Sequence, residues 1–219
     1  MSTHADKNPT VAPILWLGGS PCSGKSSITQ ALAQRYGLTA YHCDDHWDCH
    51  VAQADAEREP HMARIGQMSW DEIWMRPVAA QVSYELAIYR EEFPMILRDL
   101  AERRQPNAGL LAEGAALLPE CVAPLITDER QALWVVPTAA FQRRVYPNRG
   151  AWVQQILAQC SDPEQALANW MDRDMAFARH VAAEAEELGL RVLWVDGETT
   201  LAENTRIVEA WFAPSLALS

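Results

Sequence analysis

No stretch of the 219-residue chain stays apolar for the length that a membrane-spanning helix needs. Basic residues are in short supply: 18 lysines and arginines face 29 aspartates and glutamates, a formal charge of −11. That balance argues against non-specific nucleic-acid binding, which needs a basic face, and against docking on an anionic membrane surface. It leaves room for a local basic pocket. Met1 to Thr10 is polar, without an apolar h-region or cleavage pattern, and is expected to be a flexible tail. Internal repeats, low-complexity tracts and Pro/Gly/Ser-rich linkers are missing too, so residues 11–219 are expected to form one domain. Five cysteines, an odd number with no secretory signal, fit reduced thiols and a cytoplasmic location.

What is present is 49% hydrophobic, enough for a core. Five short apolar runs end in turn residues and read as buried parallel strands: Ile14 to Leu17, Leu38 to Cys43, Gly109 to Ala112, Ala132 to Val136 and Arg191 to Val195. Helical patterns separate them. Lys25 to Tyr36 is closed by Gly37. Pro163 to Leu188 has Asp162 as N-cap and a stripe of Leu167, Trp170, Met171, Phe177, Val181, Ala185 and Leu188. Thr200 to Phe212 is the last. Strands alternating with helices imply an α/β fold, a five-stranded parallel sheet sandwiched by helices. Residues 46–108 contain no strand pattern and are read as a helical excursion. Its main helix should run from Pro77 to Arg104, with Pro94 kinking or breaking it.

The strongest chemical signal is Gly19-Ser20-Pro21-Cys22-Ser23-Gly24-Lys25-Ser26, a glycine, four residues, then Gly-Lys-Ser. Glycines let backbone N–H groups wrap around phosphates. Lys25 is placed to reach the β- and γ-phosphates of ATP, and Ser26 to offer its hydroxyl to Mg2+. Ser27 and the helix N-terminus complete the cradle. An ordinary Gly/Ser turn is the alternative; the flanking strand and helix favour the phosphate loop. Cys22 is either a thiol activated by amide dipoles or a small residue that fits.

Asp44-Asp45 closes the second strand, where an open parallel sheet binds ligands. A carboxylate there accepts a proton from a substrate hydroxyl, positions magnesium through water, or is merely solvated. With the second strand expected beside the phosphate-loop strand and the chain still extended, Asp44 faces the γ-phosphate. Asp45 points elsewhere, to the acceptor or to a magnesium-bound water. Glu113 follows Leu110-Leu111-Ala112 as a candidate magnesium-water ligand; a carboxylate at a helix N-terminus is the other reading.

With these motifs the chain resembles the small P-loop kinases. Gly18-Gly19-Ser20-Pro21-Cys22-Ser23-Gly24-Lys25-Ser26-Ser27, Asp44-Asp45-His46 and Leu111-Ala112-Glu113-Gly114 look like the uridine kinase and phosphoribulokinase group and the chloramphenicol phosphotransferase group. The resemblance implies a P-loop NTPase fold and a phosphotransferase with Asp44 as base and Glu113 near magnesium. Between residues 46 and 108, where the acceptor would be chosen, the chain departs from both groups.

Phosphoryl transfer also needs cations on the moving group and exclusion of water, hence a lid. Residues 138–160 are the expected place, because Arg143, Arg144 and Arg149 follow the fourth strand, with Gly150 as hinge. Neighbouring arginines diverge on a helix, so one of Arg143 and Arg144 should serve; Arg173 and Arg179 are weaker candidates. Asp45, His46, Trp47 and Trp74 are the expected acceptor-side residues. Trp47, Trp70 and Trp74 either stack on a planar or sugar-like acceptor or pack, and Trp16, Trp134 and Trp194 are expected in the core. His42, His46 and His50 at spacings of four, among Cys43 and Cys49, raise a zinc site. The first lies on a strand and the cysteines lack a C-x-x-C pairing, so a substrate loop is expected instead. The function expected is ATP- and Mg2+-dependent transfer of a phosphoryl group to a small-molecule hydroxyl. The alternative is a nucleotide-binding regulatory or sequestering protein without an acceptor. A GTPase switch is disfavoured by the lack of an Asn-Lys-x-Asp segment.

Overall fold

The computed structural model describes residues 13–104, 108–146 and 150–217. Five strands form a single parallel sheet: β1 Ile14–Gly19, β2 Thr39–His42, β3 Leu110–Glu113, β4 Ala132–Pro137 and β5 Val192–Val195. Their order across the sheet is β2-β3-β1-β4-β5, which puts β1 at the centre. Side chains alternate across the pleat, so each central strand feeds two cores. Leu15, Leu17, Leu111, Leu133 and Val135 face a layer built by α1 (Lys25–Tyr36) and α10 (Leu201–Leu216). Trp16, Ala112, Trp134 and Val136 face α5 (Val78–Arg103) and α9 (Pro163–Glu187). Strands buried on both faces are what continuous apolar runs encode.

Between β2 and β3 the chain is helical, as expected. A 3-10 turn, Cys43–His46, leads to α2 (Trp47–Gln53), α3 (Pro60–Ile65), α4 (Trp70–Trp74) and α5. A short α6, Pro119–Val122, precedes β4. After β4 come α7 (Ala139–Val145) and α8 (Ala151–Leu157). Among the described residues, no helix is long and apolar enough to cross a membrane.

Four expectations are corrected. α5 runs through Pro94 without ending, because Pro94 lies on its exposed side while Phe93, Met95 and Ile96 bury the other. The carbonyl left unpaired by proline therefore faces water. β2 pairs with β3, not with β1: Thr39 to His42 lies in register with Leu110 to Glu113, and β2 is an edge strand. The chain is no longer extended at Asp44, so helical turning rather than strand alternation separates Asp44 from Asp45. Trp194 is 43% exposed, because β5 is the other edge and only Val195 of it is fully buried.

At the end of β1 the backbone of Gly19 lies against β4. A Cβ there would stand 2.0 Å from the Val135 carbonyl oxygen, at a φ of 128°. Gly19→Ala is expected to destabilise the protein by about 2–4 kcal/mol, from backbone strain and overpacking together. An unchanged urea midpoint would contradict this contact.

Candidate active site

The phosphate loop joins β1 to α1, the strand–loop–helix arrangement of a P-loop. Pro21 to Ser27 line a small pocket of about 190 Å³ together with Asp44, Glu113, Gly114 and Ala115. Gly19 and Ser20 are not among its lining residues. The Ser20 carbonyl accepts from Lys25 Nζ at 2.8 Å and from Ser23 Oγ at 3.0 Å, so the loop is braced from within. Lys25 is the single lysine or arginine, among the described residues, that lines this pocket. Cys22 takes a left-handed backbone, φ 65°, and packs against a cluster containing Trp74, Tyr146, Leu157 and Trp170. It packs the loop against the helices above it while also lining the phosphate pocket.

Glu113, at the end of β3, is 5% exposed and accepts from His42 Nδ1 at 2.7 Å across the β2–β3 pair. Gly114 follows because a Cβ there would come within 2.6 Å of Cys43 Sγ. The Glu-Gly pair thus lets the turn after β2 close over the end of β3. Ser26, Glu113 and Asp44 present only hydroxyl and carboxylate oxygens to the pocket, a donor set that suits a hard cation such as Mg2+.

Next to this pocket lies a larger cavity of about 610 Å³, walled by α2, α4, α5 and α9. Trp47, Trp70, Trp74, Tyr84 and Tyr89 line it, with Arg76, Arg173, Glu85, Glu92 and Asp48. Asp44 lines both the cavity and the phosphate pocket, and among the described residues it is the one side chain common to the two. The 3-10 turn places it there even though β2 is an edge strand.

The other expected site residues divide. Trp47 and Trp74 line the cavity. Trp74 is also stacked on Trp170, 3.8 Å between ring centroids, with the Arg173 guanidinium 5.0 Å from its ring. Asp45 lines neither the cavity nor the phosphate pocket but a groove of about 840 Å³ that it shares with His42, Ser27 and also Asp44, Ser26 and Glu113. His46 turns away from the cavity and stacks on Tyr41, 4.6 Å and 4° apart, with Arg103 at its Nε2. Burial and Arg103 lower its pKa. Neither Arg143 nor Arg144 lines the phosphate pocket. Arg143 stands 3.8 Å from Asp172, and Arg144 donates to the Asp196 carbonyl at 3.2 Å. Both belong to α7, whose last turn carries them along α9 and towards the β5–α10 loop. Arg149 lies outside the described residues, and Arg179 is exposed.

Of the three histidines that raised zinc, His46 and His50 both approach Asp99 Oδ2, at 3.6 and 3.2 Å, while His42 lies apart at Glu113. His42 bonds Glu113, His46 stacks on Tyr41, and His50 is buried between Glu92 at 3.0 Å and Asp99 at 3.2 Å. The bond to Glu92 raises the pKa of His50 despite burial. Among the described residues, no group of three or more His, Cys, Asp or Glu side chains is set to hold a metal ion.

The polar wall on α5 escaped the sequence reading. Gln81, Glu85 and Glu92 are buried, and burial raises the pKa of both carboxyls against the pull of Arg173 and His50 respectively. Arg173 spans Glu85 at 2.5 Å and Asp174 at 2.8 Å. The usable signal was spacing: 81, 85, 89 and 92 lie on one face of a helix.

No family model matches the chain, and no curated protein does either. Among solved structures, shikimate kinase from Acinetobacter baumannii in complex with shikimate is 16% identical, over 94% of this chain and 96% of that one, with a TM-score of 0.47. An uncharacterized protein from Eubacterium ventriosum is 13% identical over 93% and 99%, with a TM-score of 0.48. Shikimate kinase from Aquifex aeolicus is 14% identical over 94% and 99%, with a TM-score of 0.40. The fold assignment rests on this chain's own sheet order and phosphate loop, not on these likenesses.

Proposed function

We propose that the protein transfers the γ-phosphate of ATP to a hydroxyl group of a small molecule. One observation carries the reading: Asp44 stands where the phosphate pocket and the aromatic cavity meet. A cavity of about 610 Å³ is the size of a small-molecule site. An acceptor bound in it would bring a hydroxyl to Asp44 on one side and the γ-phosphate on the other.

The roles follow from placement. Backbone N–H groups of Pro21 to Ser27, proline excepted, and the N-terminus of α1 hold the phosphates. Lys25 exchanges its bond to the Ser20 carbonyl for phosphate oxygens. Ser26 and Glu113 would hold Mg2+, Glu113 through water, its carboxylate oriented by His42. Bound magnesium neutralises charge on the β- and γ-oxygens. The acceptor oxygen attacks the γ-phosphorus, the bond from that phosphorus to the β–γ bridging oxygen breaks, and ADP leaves with the electron pair. Asp44 takes the hydroxyl proton. Positioning and charge neutralisation supply most of the rate.

Only Lys25 among the described lysines and arginines lines the phosphate pocket, and a lid would add a second protein cation on closure. We assign that to α7 and α8, hinged at Gly150. In a ternary complex with a non-hydrolysable ATP analogue, hydrogen exchange across residues 139–157 is expected to slow. No change there, alongside protection of residues 19–26, would contradict a lid.

The reading itself is tested by ADP release from ATP with pooled hydroxylated metabolites. Release that depends on a pool component is expected. Nucleotide binding without acceptor-dependent ADP release from any pool would favour a sequestering protein.

A further inference from the structure

The cavity beside the phosphate loop has a composition that selects among acceptors. Four carboxylates line it, Asp44, Asp48, Glu85 and Glu92, against two guanidinium groups, Arg76 and Arg173. One guanidinium group is ion-paired and the other meets neutral groups. Arg173 lies between Glu85 and Asp174, and Arg76 donates from Nε to the Glu72 carbonyl at 2.6 Å while its guanidinium sits 4.7 Å from the Tyr84 ring centroid. An anionic acceptor would therefore enter a site with two more carboxylates than guanidinium groups, where only Arg76 lacks a carboxylate partner among the described residues.

α2 presents Trp47, Asp48 and Val51 to the cavity. Asp48 is exposed and has no hydrogen-bond or ion-pair partner among the described residues. It is a carboxylate at the wall of a cavity that Trp47 and Trp70 also line, with its full accepting capacity available.

The α5 wall supplies the second observation. Gln81 and Glu85 are 6% and 8% exposed. Gln81 commits Nε2 to the carbonyls of Trp74 at 3.1 Å and Arg76 at 2.8 Å, which leaves its Oε1 buried without a partner. Glu85 uses one oxygen for Tyr89 at 3.0 Å and for Arg173, and its Oε2 is likewise buried and unpartnered. Buried polar atoms are nearly always paired, so two orphaned acceptors one helical turn apart in the cavity wall mark where a ligand, or water, would donate. α4, which also lines the cavity, adds an orphaned donor, Trp74 Nε1. Hydroxyl groups serve both kinds, since each donates once and accepts twice.

We propose that the acceptor is a hydroxylated amine. Its ammonium group is held by Asp48 and the faces of Trp47 and Trp70, and its hydroxyls are read by Gln81, Glu85 and Trp74. This deepens, and rests on, the phosphotransferase reading above; the hydroxyl left nearest Asp44 is the one phosphorylated.

The test is a fluorescence titration of the cavity tryptophans, with MgADP present. Three matched probe sets are used: glucosamine and serinol, glucose and glycerol, glucuronate and glycerate. Saturable binding by the amines, tightest within each size-matched group, is expected. Asp48→Asn should weaken amine binding about tenfold, the scale of a lost charge-assisted hydrogen bond, and leave MgATP affinity unchanged. Preference for the acids or the neutral polyols, no saturable binding by the amines, or wild-type amine affinity in Asp48→Asn would each overturn the proposal. Phosphoryl transfer is read separately. Transfer to a neutral or anionic acceptor alone sinks this proposal and leaves the phosphotransferase reading standing. Amine binding that fails in Asp48→Asn, with no transfer, does the reverse.

Discussion

Lys25→Ala is expected to lower phosphoryl transfer by roughly a hundred- to a thousand-fold, the scale seen when one preorganised donor to a developing charge is removed. Its MgATP affinity is expected to fall by about tenfold or more, as when a hydrogen bond to a charged group is lost. The effect should be large because no other lysine or arginine, among the described residues, lines the pocket that Pro21 to Ser27 enclose. Folding should survive, since the hydrogen bond that Nζ makes to the Ser20 carbonyl duplicates the brace that Ser23 Oγ already makes. Isothermal titration measures the affinity. Lysine labelling gives a second readout, because the chain has only two lysines, Lys7 and Lys25. MgATP should protect Lys25 from an amine-reactive reagent and leave Lys7 as it was. Ser26→Ala should weaken binding mainly when magnesium is present. Wild-type affinity in both variants, with no protection of Lys25, would remove the phosphate-cradle assignment.

Asp44→Asn is expected to bind MgATP normally and to transfer the phosphoryl group about a hundred- to ten-thousand-fold more slowly, the usual contribution of a positioned general base. Asparagine keeps the size and the polar contacts and cannot take the hydroxyl proton. Asp45→Asn should cost less. The turn Cys43–His46 sends Asp45 into the groove shared with His42 and Ser27, away from the aromatic cavity. Single-turnover measurements on the two variants separate the roles. A collapsed rate in Asp45→Asn with a near-normal rate in Asp44→Asn would exchange them. Near-normal rates in both would take this turn out of the chemistry.

The parts of the structure that were legible in the sequence are those governed by local physics. Parallel strands buried on both faces must be short apolar runs, and Leu15, Leu133 and Val135 occupy such runs. The phosphate loop was legible because its backbone needs glycine where Gly19 meets Val135, and because its Gly-Lys-Ser sits between a strand and a helix, with Lys25 held inside by the Ser20 carbonyl. Strand order was not, because nothing in Thr39 to His42 states whether β1 or β3 lies beside it. The α5 wall was missed for a different reason. Gln81, Glu85 and Glu92 look like a solvated helix face until α9 delivers Arg173, and α2 His50, against them. Tertiary partners also redirected His46, which finds Tyr41 and Arg103 before it can reach an acceptor. Arg143 and Arg144 carry the right charge at the right point in the chain, yet α7 holds them over Asp172 and the Asp196 carbonyl.

The central claim is that the γ-phosphoryl group passes from ATP to a hydroxyl brought next to Asp44. The most direct measurement follows the group itself: ATP labelled with ¹⁸O on the γ-phosphoryl oxygens, incubated with Mg2+ and the acceptor pools, and the products read by mass spectrometry. The account predicts a phosphate monoester of one pool component carrying the labelled oxygens, formed by the wild type and reduced at least a hundredfold in both Lys25→Ala and Asp44→Asn. Label found only in inorganic phosphate, or no turnover while MgATP binds, would contradict it.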